Sequence, residues 1–492
     1  MMNRLINQLL AYALYKQLIT EHDYEYAANA LIYLLQLDRF EKEDLGSEQI
    51  DYFAVMDKIL DQAVEENIIE DSIASRDNFE AKLMDVFLPK PSELDRRFYE
   101  LYKKGPLTAT NYFFKLSQDI NYIKTRRIAN NISFVYQGKY GPLQITINLS
   151  KPEKDPKTIA KSRDKKETGY PKCALCMENV GFYGSDNLAP RSNHRVITIT
   201  LNHEKDAWGF QYSPYQYFNE HSIVLKKDHI PMKVDHTTFD ELIDFINKFP
   251  HYLMGSNAGL PIVGGSILSH YHFQGGRSAF PIEKARVLQS YKKGRVRIQA
   301  LDWPVSTIKV SGNNENAVLD MVKQIYDNWN VYDNPGLDIL HQTTESHNAM
   351  TPIVKLNGAD YDFYLVLRNN RATELRPYGL FHPKEELFHI KKENIGLIEV
   401  MGLAILPGRL KTELDLIKSC FVDGADPSLI PDLEKHLPWI EAIKDGANNT
   451  DDLDQFLEAE IGKVFEEVLE DCGVFKAKDK EAFLRFVEAA IY

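Results

Sequence analysis

The chain has 492 residues, of which 44% are hydrophobic and 26% charged, and its formal net charge is −13. This length predicts two or three domains, and the negative charge argues against wrapping DNA or RNA, because proteins that do so need a positive surface. No apolar run approaches the roughly 18–20 residues of a membrane span, and the first residues show no signal-peptide pattern. We therefore expect a cytoplasmic protein without nucleic-acid or membrane partners.

Helices are predicted at both ends of the chain. Residues 1–130 carry apolar positions at helical spacing and are assigned to a helical N-terminal extension. Near residue 386 the pattern becomes helical again, with an apolar stretch at 395–406 and an amphipathic one at 456–491. Residues 411–492 form the predicted C-terminal helical region.

Strand patterns fill the middle of the chain, where we place a first sheet unit at 131–290 and a second at 291–410. Short apolar or alternating runs bounded by turn residues predict strands at 132–136, 143–149, 195–201, 208–212, 222–225, 262–274, 295–302, 353–355 and 362–368. Helices are predicted at 238–249 and 317–329. The order of helices, sheet, sheet and helices indicates an α+β fold. No Rossmann or Walker glycine motif occurs, and we expect no organic cofactor.

The most informative segment is a stripe of three polar residues, His270, His272 and Gln274, spaced two apart and flanked by glycine pairs. On an extended strand these side chains point to one face, while Tyr271 and Phe273 point to the other. Two imidazoles and an amide are poor core material, but they suit a site that binds phosphate. The alternative is a solvent-facing edge strand.

A Cys-x-x-Cys pair follows a turn earlier in the chain. Four cysteines in all are too few for a disulfide framework, so this spacing indicates a zinc half-site or a redox pair. Zinc takes four nitrogen or sulfur ligands, and because no second such pair occurs, histidines are expected to complete the set. The predicted ligands of a structural zinc ion are Cys173, Cys176, His229 and His270. His221 competes as the fourth ligand.

The stripe also suits nucleophilic attack on phosphorus. A neutral imidazole is nucleophilic near pH 7, and we assign the attack to His272, which lies at the centre of the stripe. Gln274 can donate an amide N–H to a phosphoryl oxygen, but it is not a strong acid. The leaving group must therefore depart without a general acid, as a phosphate does. This favours nucleotidyl transfer between phosphates, with His272 and Gln274 as the catalytic residues.

The H-x-H-x-Q stripe resembles the active-site motif of galactose-1-phosphate uridylyltransferases, the transferase branch of the histidine-triad superfamily. Segments 148–154, 255–276 and 391–403 are similar to the second class of these enzymes, found in Gram-positive bacteria. The resemblance implies two histidine-triad-like antiparallel half-barrel sheet units within the α+β fold. It also implies zinc at His270 and the cysteine pair.

The activity implied by the resemblance is a ping-pong exchange. UDP-glucose would uridylylate His272 and release glucose 1-phosphate, and galactose 1-phosphate would then accept the uridylyl group and leave as UDP-galactose. By position in the motif, Asn257, Gly265 and Ser266 resemble the nucleotide-contacting segment. Related enzymes share active sites across a dimer, so a homodimer is expected.

Two arginines near the end of a predicted strand, Arg368 and Arg371, are candidates for binding the sugar phosphate, because the guanidinium fork matches phosphate oxygens.

Two other functions remain open. One is a histidine-triad hydrolase or dinucleoside-polyphosphate phosphorylase, which would use water or orthophosphate as the acceptor. The other is a zinc-ribbon interaction module without catalysis.

Overall fold

The computed structural model describes residues 1–46, 49–151, 169–184, 191–265 and 267–492. The described chain forms two compact units. The first comprises Met1–Thr125, Lys154–Ile199 and Trp208–Pro214, and the second comprises Arg126–Glu153, Thr200–Ala207 and Tyr215–Tyr492. Among the helices described here, none is both long and apolar enough to cross a membrane.

The described part of residues 1–130 contains α-helices. The helices are α1 Met2–Tyr15, α2 Tyr24–Leu34, α3 Tyr52–Glu65, α4 Ile73–Asp85, α5 Pro91–Tyr102, α6 Pro106–Asp119 and the single turn α7 Thr125–Ile128. Pro91 and Pro106 each occupy the first turn of their helix, where proline has no hydrogen bond to lose. The Ser72 side chain caps α4 by accepting from the Ser75 N–H.

A buried carboxylate connects several of these helices. Glu80 accepts hydrogen bonds from the Tyr52 hydroxyl (2.8 Å) and the Asn121 amide (2.7 Å), and its second oxygen lies 2.8 Å from the Lys124 ammonium. Burial opposes ionisation, but Lys124 and the two neutral donors together hold the pKa of Glu80 below its usual range. The charge is therefore paired and hydrogen-bonded, as a buried charge must be.

The second unit contains a small sheet of three strands. In it β1 Ile132–Gly138 and β2 Gly141–Asn148 form an antiparallel hairpin, and β13 Leu403–Pro407 lies parallel to β2. Two further strands, β3 Ile197–Leu201 and β4 Asp206–Tyr212, have residues in both units.

Eight consecutive strands of the larger sheet belong to the second unit. Their spatial order is β5 Ser222–Lys226, β7 His272–Gly276, β6 Leu253–Gly255, β11 Asn348–Asn357, β12 Asp360–Asn369, β10 Thr307–Gly312, β9 Val296–Asp302 and β8 Arg286–Lys293. All neighbouring pairs are antiparallel. Because Gly255 of β6 pairs with Ile353 of β11, strands of the two predicted sheet units join in one open sheet. The predicted α+β class is confirmed.

Helices cover this sheet. On one face lie α8 His236–Lys248 and α9 Glu315–Asn330; the rings of Phe239 and Phe363, for example, are 6.5 Å apart. The other face contributes residues such as Val366 to a core that also contains Phe465 of α13. The remaining described helices are α10 Leu397–Val400, α11 Arg409–Asp423, α12 Leu437–Asn448, α13 Leu453–Cys472 and α14 Lys480–Ile491.

The strand predicted at 262–274 is mostly wrong, because β7 begins only at His272. Ile262 has a φ of 72°, which no strand residue adopts. A Cβ on Gly264 would lie only 2.5 Å from the carbonyl oxygen of Ala258. The chain therefore folds back on itself before β7 instead of running straight into it.

The helical prediction for 395–406 is also wrong. Only the single turn α10 forms, which ends at Val400. Two residues later Gly402 has a φ of 94°, which is incompatible with a continuing right-handed helix. The following residues then pair with β2 as strand β13. An apolar run bounded by glycine suits a buried strand as well as a helix.

A polar network lies beneath β7, on the face opposite the predicted site. The Tyr271 hydroxyl is 2.7 Å from a Glu241 oxygen and 2.8 Å from the Thr238 hydroxyl. The Lys226 ammonium lies between Glu241 (3.5 Å) and Asp206 (3.2 Å). Burial raises the pKa of Glu241 from its ordinary 4.5 to about 7, although Tyr271 and Lys226 oppose the rise. The network therefore holds a carboxyl that titrates near neutrality.

This network makes stability depend on pH. A carboxyl whose pKa is raised in the folded state stabilises the fold below its unfolded pKa, and the contribution is lost as the pH rises through the folded pKa. Between pH 4.5 and 8 we expect ionisation of Glu241 to lower the free energy of unfolding by about 3 kcal/mol. Glu241→Gln should remove this loss, so the difference between the Tm of Glu241→Gln and the Tm of wild type should rise with pH. The control is Glu345→Gln in an exposed loop; a constant offset between Glu241→Gln and wild type across this range would contradict the prediction.

Candidate active site and metal site

The sheet register places three of the predicted site residues on one face. His272 and Gln274 alternate along β7 with Tyr271 and Phe273, which are fully buried. Gln274 is opposite Gly255 of β6, Gly255 is opposite Ile353, and Ile353 is opposite Tyr364. Paired residues in antiparallel strands share a face. Arg368, four residues beyond Tyr364 on β12, therefore lies on the same face as His272 and Gln274.

His272 is held by contacts of both its backbone and its ring. Its exposed fraction is 4%, its backbone N–H donates to the sulfur of Met232 at 3.3 Å, and its Nδ1 lies 2.7 Å from the carbonyl oxygen of His270. Burial lowers the pKa of His272 to about 4, so the ring is neutral at pH 7 and carries one N–H. A carbonyl can only accept, so the proton is on Nδ1.

This tautomer defines the chemistry of the ring. Among the described residues, Nε2 of His272 has no hydrogen-bond partner, and it is not among the side-chain nitrogens sealed from solvent. The lone pair on Nε2 is therefore available to an electrophile. A buried, neutral imidazole with a backbone-fixed tautomer meets the requirements of a nucleophile at phosphorus.

Gln274 is half-buried and contacts a residue from the neighbouring strand. Its Oε1 lies 3.1 Å from Nε2 of His221. The structure thus places His221, the competing zinc ligand of the sequence analysis, beside the amide of Gln274.

The predicted zinc ligands form two close pairs, one in each compact unit. In the first unit the sulfurs of Cys173 and Cys176 are 3.5 Å apart. In the second unit the ring centroids of His229 and His270 are 4.8 Å apart.

The donor set fits zinc. Two sulfurs bound tetrahedrally at about 2.3 Å would be roughly 3.8 Å apart, close to the distance between the two cysteines. Nε2 of His270 lies 2.7 Å from the Lys226 carbonyl oxygen, so it donates there and leaves Nδ1 to bind a metal. A backbone carbonyl that fixes the tautomer of a ligating histidine is typical of metal sites.

Two of the predicted nucleotide-contacting residues, Asn257 and Gly265, lie close together. Asn257 is 4% exposed, and its Oδ1 accepts from the backbone N–H of Leu397 at 2.8 Å. A Cβ on Gly265 would lie 2.7 Å from Nδ2 of Asn257, so a side chain at position 265 would displace this amide. Ser266 lies outside the described residues.

The two predicted arginines have different surroundings. Arg368 is 1% exposed, and its Nε and Nη1 have no hydrogen-bond partner among the described residues. Burial lowers the pKa of this guanidinium, while Cys472 and Glu399 act in the opposite direction. Arg371 instead donates from Nη1 to the Asp338 carbonyl at 2.9 Å and lies 3.3 Å from its carboxylate. Of the two, Arg368 has the donors that no described residue satisfies.

Sequence reasoning missed an ion pair in the segment 391–403. The ammonium of Lys391 lies 3.0 Å from a Glu399 oxygen and donates to the Ile405 carbonyl at 3.0 Å. The other Glu399 oxygen accepts from the Gly396 N–H at 3.1 Å and so caps α10. A Gly-x-x-Glu spacing before an apolar run was the available signal, because a glutamate at this position reaches back to the start of a helix.

Two family models match the chain. The one described as "Galactose-1-phosphate uridyl transferase, N-terminal domain" matches residues 20–231, and its C-terminal counterpart matches residues 245–419. Among solved structures, yeast Ap4A phosphorylase Apa2 in complex with Ap4A has a TM-score of 0.35 and 10% identity, covering 61% of this chain and 91% of that one. At this TM-score the structural similarity supports no conclusion about function.

Curated relatives match over almost their whole length. Proteins named galactose-1-phosphate uridylyltransferase are 46% identical in Clostridium acetobutylicum and 44% identical in Clostridium perfringens, each over 99% of both chains. The protein of that name from Staphylococcus saprophyticus is 42% identical over 98% of this chain and 99% of its own. Matched by both family models and by relatives from end to end, the chain belongs to the galactose-1-phosphate uridylyltransferase family.

Proposed function

We propose that this protein exchanges a uridylyl group between UDP-glucose and galactose 1-phosphate through a covalent uridylyl group on Nε2 of His272. The observation that carries the proposal is the contact between Nδ1 of His272 and the His270 carbonyl, since it leaves Nε2 with a free lone pair. Family membership supports the reaction, and the ring geometry supports the route.

In the first step Nε2 attacks the phosphorus that bears uridine. The N–P bond forms, the P–O bond to the second phosphate breaks, and glucose 1-phosphate leaves with the bonding electrons. A phosphate monoester needs no proton in order to leave, because its second pKa is about 6. This agrees with the absence of a strong acid at position 274, where Gln274 can donate only an amide N–H.

In the second step a phosphate oxygen of galactose 1-phosphate attacks the same phosphorus. The N–P bond breaks, the ring regains its lone pair, and UDP-galactose leaves. The proton on Nδ1 stays in place throughout, because the His270 carbonyl holds it. Dividing the transfer in two in this way replaces one difficult displacement by two easier ones.

Arg368 is the proposed contact for the sugar phosphate. A buried guanidinium with unsatisfied donors is costly, and phosphate oxygens match its planar fork. Arg368 also shares a sheet face with His272 and Gln274, which supports this assignment. Asn257 and Gly265 are proposed to shape the nucleotide-binding segment, and Arg371 is a second candidate for the sugar phosphate.

Zinc is the proposed metal at Cys173, Cys176, His229 and His270. Bound there, the ion would supply charge and cross-linking rather than a reactive water, because all four of its ligands would come from the protein. Nδ1 of His270 would ligate the ion while the His270 carbonyl accepts from His272, so one residue would serve both sites.

Uridylylation of His272 can be measured directly. After incubation with UDP-glucose, the intact mass of the wild-type protein should increase by one UMP residue, and the increase should disappear when galactose 1-phosphate is added. His272→Asn should form no adduct, because it has no equivalent nucleophile. The control is His341→Asn, since His341 is not part of the proposed site and its ring pairs with Asp333. An adduct on His272→Asn, or labelling by Ap4A instead of UDP-glucose, would contradict the proposal.

The zinc proposal predicts about one zinc ion per chain in purified protein by elemental analysis. Cys176→Ser should lose most of this zinc and lower the Tm, because a thiolate ligand is replaced by a weak hydroxyl. Cys420→Ser is the matched control, a buried free cysteine on α11, and should retain the metal. Full zinc content in Cys176→Ser would rule out this ligand set.

The proposed role of Arg368 predicts that removing its guanidinium weakens the binding of galactose 1-phosphate. In Arg368→Gln the galactose 1-phosphate concentration for half-maximal discharge of the uridylylated enzyme should rise about 10- to 100-fold, the effect of losing a charged hydrogen bond of 1.5–3 kcal/mol. Arg485→Gln, on an exposed part of α14, should leave this concentration unchanged, and Arg371→Gln tests the second candidate. An unchanged value in Arg368→Gln would exclude the assignment.

A further inference from the structure

His221 occupies a buried position just before β5. Its exposed fraction is 2%. The Tyr217 ring stacks on it with centroids 5.2 Å apart at 29°, and the Phe218 ring lies 4.6 Å away. Its backbone N–H donates to the Phe218 carbonyl at 3.1 Å. The imidazole is therefore fixed in place by its aromatic neighbours.

The backbone on either side of His221 is anchored to β7. Glu220 has a φ of 55°, a strained conformation for a non-glycine residue, and its carboxylate accepts from the Tyr252 hydroxyl at 2.7 Å. The Ser222 hydroxyl donates to the Gly275 carbonyl at 3.0 Å. A Cβ on Gly276 would lie 2.6 Å from the Glu220 carbonyl oxygen, so glycine is needed for this close approach. The anchors set the distance between His221 and the catalytic strand.

The ring makes one polar contact and leaves one nitrogen without a partner. Nε2 lies 3.1 Å from Oε1 of Gln274, while Nδ1 is buried without a hydrogen-bond partner among the described residues. Burial lowers the pKa of His221 to about 4, so the neutral ring has a single N–H, which donates to Oε1. An unpaired buried nitrogen costs free energy. An apolar ring would fill the same space without that cost, so packing alone does not account for a histidine.

The contact selects one of the two orientations of the Gln274 amide. With Oε1 engaged by the His221 N–H, the NH₂ group of Gln274 is the end left for a ligand. With the amide reversed, Oε1 would face the phosphoryl oxygens, and two groups that only accept hydrogen bonds would oppose each other. We propose that His221 is a positioning residue that holds Gln274 with its amide donor turned toward the transferred phosphoryl group. The proposal rests on the proposed uridylyl transfer through His272.

Two substitutions separate the hydrogen bond from the packing. His221→Phe keeps an aromatic ring against Tyr217 but removes the N–H, whereas His221→Gln keeps a donor near the position of Nε2. In single-turnover uridylylation by UDP-glucose, we expect His221→Phe to lower the maximal rate about 10- to 100-fold with the half-saturating UDP-glucose concentration little changed. His221→Gln should recover most of that rate. Equal losses in both variants would overturn the proposal.

A double-mutant comparison tests whether His221 acts through Gln274. Gln274→Ala removes the amide, so His221→Phe should have no further effect on the rate in that background, within about 3-fold. If the two losses multiply instead, His221 acts independently of Gln274 and the proposal fails. Wild-type protein that forms no uridylyl adduct would instead show the failure of the proposed function. The Tm of each variant checks that the fold is retained.

Discussion

The proposed chemistry depends on one hydrogen bond, from Nδ1 of His272 to the carbonyl oxygen of His270. The bond joins two residues that are only two positions apart, and it leaves Nε2 of His272 without a proton. The ring of His270 is fixed in the same way by the Lys226 carbonyl. Main-chain carbonyls thus decide which nitrogen of each imidazole carries the proton, because a carbonyl oxygen can only accept.

Strand β7 lies between two different polar environments. Beneath it, the hydrogen bond between Tyr271 and Glu241 connects the strand to α8. On the other face, the buried Arg368 has donors without a partner among the residues that the structure describes. A satisfied buried network rigidifies the fold, whereas an unsatisfied buried cation raises the free energy of the unliganded state and favours an anionic ligand.

Much of the secondary structure could be predicted because it depends on the spacing of apolar residues within short segments. Apolar periodicity located most helices and strands, and the Cys-x-x-Cys spacing predicted a metal site. Wrong predictions arose where glycine or a strained residue reversed the chain. Ile262 and Gly264 delay the start of β7, and Gly402 prevents α10 from continuing beyond Val400, so that the following apolar run becomes a strand. An apolar run alone does not distinguish these outcomes.

The order of residues along the chain was sufficient to propose a nucleophilic imidazole, a neighbouring amide and a set of metal ligands, since each follows from side-chain chemistry at short spacing. The partners that contact these groups come from distant segments. His221, a competing zinc ligand by sequence, lies 53 residues from Gln274, and Glu241 lies 30 residues from Tyr271. Such contacts depend on strand pairing and burial, which arise only when the whole sheet is assembled, so only the tertiary structure assigns them.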